Sequence, residues 1–115
     1  MKYSVVFSSK TGNTQQLANA ITSLLPESDL IYFGPPSECA LQADRFYIGF
    51  WTDKGHCNAE IADFLKHLKG KDIFLFGTAG FGGSAEYFKK ILTAVEKYID
   101  SSNTVIGSYM CQGRM

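Results

Sequence analysis

Cysteine is scarce: Cys39, Cys57 and Cys111 are the three in the chain, an odd count with no C-x-x-C spacing. Neither a disulfide framework nor a structural zinc site is expected, and a reducing cytoplasm is the expected compartment. Charge of either sign shows no excess, with eleven Lys and Arg against eleven Asp and Glu. A general nucleic-acid binder needs surplus cations to neutralise phosphates, so that class is excluded. Residues 1–57 carry four basic and five acidic groups and residues 58–115 carry seven and six, so neither half is a charged tail. No apolar run approaches the ~18 residues of a membrane span. The opening MKYSVVFSSKTGNT lacks a small-residue cleavage site and reads as a first strand, not a signal peptide. Internal repeats and low-complexity linkers are missing too.

What remains is 115 residues, 45% of them apolar, enough for a single globular domain and too few for a second lobe. Gly and Pro punctuate a regular alternation. Tyr3–Phe7 is short, apolar and β-branched, a strand. Leu17, Ile21 and Leu24 then recur at helical spacing until Pro26. Leu30–Phe33 is a second strand closed by Gly34-Pro35-Pro36, and residues 35–44 leave room for a loop or one irregular turn. Phe46–Trp51 is apolar on both faces, as a central strand of a covered parallel sheet is. A helix carrying Ile61, Phe64, Leu65 and Leu68 stops at Gly70, and Ile73–Phe76 is a fourth strand. From Ser84, a plausible N-cap, a helix shows Phe88, Ile91, Leu92, Val95 and Ile99 on one face. Thr104–Met110 is the fifth strand.

Such alternation predicts a parallel sheet with right-handed crossovers and a ligand site beyond the C-terminal strand ends. Three loops there are rich in Gly, Ser or Thr: 8–14, 52–57 and 77–83. The first, Ser8-Ser9-Lys10-Thr11-Gly12-Asn13-Thr14, offers four hydroxyls, an amide and a glycine before a helix N-terminus. Hydroxyls and N–H groups can together hold a phosphate monoester without an Arg, and Gly12 lets the backbone curl close to the anion. The plainer alternative is a loop that only caps the helix, with Asn13 or Thr11 as N-cap. Competing phosphate motifs fail: there is no G-x-x-x-x-G-K-[ST] and no Cys-x5-Arg.

The stretch Val5–Thr14 resembles the phosphate-loop signature of flavodoxins, with S/T-x-T-G-N-T at its heart, and Glu86-Tyr87-Phe88 resembles the family's E-Y-F opening a helix. The resemblance implies a flavodoxin-like α/β three-layer sandwich, a five-stranded parallel sheet of order 2-1-3-4-5, and non-covalent flavin mononucleotide (FMN) at the switch point. It implies phosphate contacts from Ser8, Ser9, Lys10, Thr11, Gly12, Asn13 and Thr14. It places the flavin ring between two further loops. Trp51, Thr52, Asp53, Lys54 and Gly55 would line one side, Gly55 allowing a peptide flip toward the ring's N5. Ala79, Gly80, Phe81 and Gly82 would line the other. Here the sequence departs from the family: Trp51 precedes Thr52 where flavodoxins often read Thr-Trp-Gly-Asp, and Ala85 replaces a tyrosine, so Trp51 and Phe81 are each equally readable as core.

Gly80–Ala85 also fits G-x-G-x-x-A, but the next strand ends Met110-Cys111-Gln112 without the acid that a dinucleotide ribose needs. A phosphoacceptor receiver would need paired acids after strand one, where Ser8-Ser9 stand. His56 and His67 have no ligand partner, and no nucleophile–base–orienter set is evident. The expectation is an electron carrier between redox partner proteins more than an enzyme. A flavin-dependent reductase of a small molecule such as a quinone and a cofactor-free interaction module are the alternatives. The fold's fifth helix is missing from the sequence, which predicts either an apolar strip beside the first helix, covered by a partner such as a second copy in a homodimer, or a chain shortened from a longer parent.

Overall fold

The computed structural model describes residues 2–8, 12–53, 56–79 and 85–112. Strands β1 (Tyr3–Phe7), β2 (Leu30–Gly34), β3 (Arg45–Asp53), β5 (Asp72–Ala79) and β6 (Thr104–Gln112) form a parallel sheet in the order β2-β1-β3-β5-β6. Counting the parallel strands alone, this is the expected order 2-1-3-4-5. The short strand β4 (His56–Cys57) is antiparallel and folds back on the end of β3. Helices α1 (Asn13–Ser23), α2 (Ala59–Lys66) and α3 (Ala85–Glu96) supply the outer layers, and the stretch between β2 and β3 contains one 3-10 turn, Glu38–Gln42.

Strand alternation divides the core into two clusters. Phe46, Ile48, Phe50, Ile73 and Leu75 turn toward α2 and α3, where Ile61, Leu65, Ile91 and Val95 close over them. Tyr3, Val5, Phe7, Tyr47 and Phe76 turn the other way, under Ala18, Leu17 and Ile21 of α1. Helix α1 packs on β1, β3 and β5, so it lies across the middle of its face and leaves Phe76 with no exposed surface. Toward the β6 edge the cover ends, and Tyr109, opposite Phe76, is 51% exposed. The strip expected beside the first helix is thus confined to the flanks of that face.

Four cross-strand pairs set a glycine opposite a phenylalanine, and in three of them the ring itself covers the glycine: Gly49 with Phe76, Phe50 with Gly77, and Phe74 with Gly107. In each the ring lies across the glycine, where a Cβ would sit; one added at Gly77 would meet Phe50 Cζ at 2.5 Å, and one at Gly49 would meet the Phe76 ring and Phe7. The missing side chains are what let the rings lie flat on the sheet and seal both clusters. At the N-terminal edge the turns close on themselves. Asn103 Nδ2 donates to the Leu68 carbonyl and Asn103 Oδ1 accepts from the Lys71 N–H, both at 2.8 Å.

Substituting Gly49→Ala forces the Phe76 ring off its site. A stability loss of about 1–3 kcal/mol is expected in urea unfolding, the usual penalty of overpacking. A stability equal to that of the parent chain would show that the ring moves freely.

Candidate functional site

At the C-terminal edge the chain leaves β1 for α1 on one face and leaves β3 for α2 on the other. Loops that part to opposite faces open a crevice between neighbouring strands, and here it falls between β1 and β3. The described residues around it are Ser8, Gly12, Asn13 and Thr14 after β1, Trp51 to Asp53 at the end of β3, and Thr78 and Ala79 at the end of β5. The expected site residues Ser9, Lys10, Thr11, Lys54, Gly55, Gly80, Phe81 and Gly82 lie outside the described residues, as does the expected N-cap Ser84.

Ser8 extends the β1–β3 pairing by one step, its N–H donating to the Gly49 carbonyl at 3.1 Å. The cap of α1 is Gly12, not Asn13, which is the first helical residue. Gly12 adopts φ 90°, ψ −10°, the left-handed conformation that side chains resist. Its carbonyl accepts the Gln16 N–H at 3.1 Å, and the cap offers no side-chain acceptor to the first turn. A helix normally spends such an acceptor on its leading N–H groups; a glycine cap leaves that office to other groups, an anion among them. Among the described residues, nothing lies within 4 Å of where a Gly12 Cβ would stand.

Thr14, expected to face a phosphate, is 1% exposed and turns its hydroxyl into the sheet. Thr14 Oγ1 donates to the Phe50 carbonyl at 3.3 Å and lies 3.1 Å from Thr78 Oγ1. The end of β3, expected as a loop from Trp51 onward, is a tight hairpin in which Thr52 pairs with Cys57 and Asp53 with His56. Asn58 fastens it: its N–H donates to the Trp51 carbonyl at 3.2 Å, and its Oδ1 accepts from the Trp51 N–H at 3.4 Å. Trp51 is half-buried on the α1 side of the sheet, two residues beyond Gly49. Thr52 Oγ1 donates to the Thr78 carbonyl at 2.9 Å. Ala79 is buried in the α2/α3 cluster, which Tyr87 and Phe88 flank.

Thr78 is the residue that sequence reasoning passed over. It is 5% exposed, pairs with Trp51 on one side and Cys111 on the other, and touches both neighbouring segments. Its sequence signal is a lone hydroxyl near the end of an otherwise apolar central strand, on the Phe74–Phe76 side. Cys57 is fully buried, and burial pushes its thiol up to about 11, so it is a small core residue and not a nucleophile. Burial also raises the Cys111 thiol.

Comparison with known proteins agrees with this architecture. The sequence profile of the flavodoxin domain matches residues 4–115. The flavodoxin-like domain-containing protein BilS of Clostridium symbiosum (strain WAL-14163) is 40% identical over 132 residues, spanning 100% of this chain and 70% of that protein. The protein of the same name from Clostridioides difficile (strain CD3) is 33% identical, spanning 100% of this chain and 68% of its own length. Among solved structures, oxidised Flavodoxin 2 from Bacillus cereus superposes with a TM-score of 0.74 at 21% identity, over 99% of this chain and 86% of that one. A flavoprotein in complex with FMN from Lactobacillus acidophilus NCFM superposes with a TM-score of 0.70 at 16% identity, over 95% of this chain and 92% of that one. At such identities these two structures share the fold.

Gly12→Ala cannot take up the left-handed backbone conformation without strain, so unfolding should become easier by about 1–2 kcal/mol. Gly12→Asn should recover part of that in the same denaturant titration. Native chain treated with iodoacetamide at pH 8 should alkylate exposed Cys39 and spare Cys57 until denaturant is added, which peptide mapping reads directly.

Proposed function

The chain belongs to the flavodoxin domain family, and from that premise we propose that it binds FMN non-covalently at the C-terminal edge of its sheet and serves as an electron-transfer protein. The observation that carries this reading is the start of α1 at the crevice between β1 and β3, where Gly12 turns the chain through the left-handed conformation into the helix. The residues fit the group. Uncharged donors from Ser8, Asn13 and the first turn of α1 suit a phosphate monoester, with Ser9, Lys10 and Thr11 completing the polar run.

Bound FMN would supply reversible one- and two-electron chemistry that the side chains lack. The chain's own work is to hold, orient and shield. The first turn of α1 would fix the phosphate by its dipole and N–H groups. Asn58 and Thr52 fasten the end of β3, so Trp51 and Thr52 would stand at one side of the ring, with Asp53, Lys54 and Gly55 following them in the chain. Gly80, Phe81 and Gly82 would wall the other. Electrons would pass to redox partner proteins at the exposed rim. No catalytic acid, base or nucleophile is needed for that role.

Titrating the flavin-free chain with FMN tests the reading. Saturable uptake at one FMN per chain, with altered visible bands, is expected, and affinity for FMN should exceed that for riboflavin because the phosphate is gripped. A chain that takes up neither flavin is not a flavoprotein. Thr11→Ala should weaken FMN binding by ~1 kcal/mol, the net worth of one hydroxyl donor.

A further inference from the structure

Two threonine hydroxyls bonded to each other inside a sheet–helix joint have no part in the reading above. Thr14 Oγ1 carries one proton, and that proton goes to the Phe50 carbonyl. The Thr14–Thr78 contact at 3.1 Å therefore has Thr78 as its donor. The result is a directed chain from the Thr78 hydroxyl to the Thr14 hydroxyl to the Phe50 carbonyl, running from β5 through α1 to β3. Each link polarises the next, and the surroundings are dry. On its other side the Thr78 carbonyl accepts from Thr52.

The geometry points to Thr78 as a positioning residue for the anion end of the site. It is too deeply buried to touch a ligand. Its hydroxyl instead pins Thr14, the second residue of α1, against the sheet. Gly12 supplies no side chain to fix the helix start, so the place where the leading N–H groups present themselves is set from within by this bond. The inference rests on the FMN reading and adds to it a residue two strands away from β1, outside the phosphate loop.

Thr78→Val keeps the shape of the side chain and removes the donor. FMN and riboflavin share a ring and differ by the phosphate, so their two affinities separate the anion end from the ring end. The expected result is an FMN affinity lowered about tenfold, a riboflavin affinity unchanged, and FMN affinity restored in Thr78→Ser. Thr78→Ala, with its smaller side chain, takes the same comparison should the valine variant not fold. Equal loss for both flavins would assign Thr78 to general stability, and no loss for either would make the bond idle; each overturns the inference while leaving FMN binding intact. Failure of the parent chain to take up FMN overturns both together.

Discussion

One helix, α1, holds down a face of the sheet, and the way it is anchored governs the rest of the molecule. Its buried side packs across β1, β3 and β5, and its first turn is fastened to the sheet interior through Thr14. Apolar packing alone would let a helix slide along a smooth sheet. A buried hydroxyl must find its partner or lose its hydration without compensation, so it fixes position where packing fixes only contact. That anchor stands at the edge where the ligand site is proposed.

The glycines follow from the same economy of space. Gly49, Gly77 and Gly107 are absent side chains over which Phe76, Phe50 and Phe74 lie. With two helices on one face and α1 across the other, aromatic rings do much of the sealing. Glycines opposite them in register are what permit the rings to lie down. Gly12 answers a different need, the left-handed backbone conformation ahead of α1.

Much of this was legible in the sequence, for physical reasons. Phe46–Trp51 and Ile73–Phe76 are apolar on both faces, which happens only in covered central strands, and both are central. Ile61, Phe64 and Leu65 form the buried stripe of α2; the helix ends at Lys66, short of the expected stop at Gly70, and Leu68 is buried just beyond it. The β3–β4 hairpin was not legible, because His56-Cys57 lacks an alternating pattern and its pairing depends on Asn58 folding back to Trp51. Asn13 has good capping chemistry and was displaced by Gly12, since the chain must turn left-handed there before entering α1. Thr14 carried a surface chemistry in the sequence and is buried in the fold.

By itself the sequence determined the five parallel strands, the three helices and the polar character of the loop after β1. Those properties reside in residue type and spacing. Only the tertiary structure decided that Thr14 and Thr78, 64 positions apart, share a hydrogen bond, that Thr52 closes onto the Thr78 carbonyl, and that Phe76 rests on Gly49. Such pairings depend on the register between strands that never meet in sequence, and register is fixed only when both faces of the sheet have been packed.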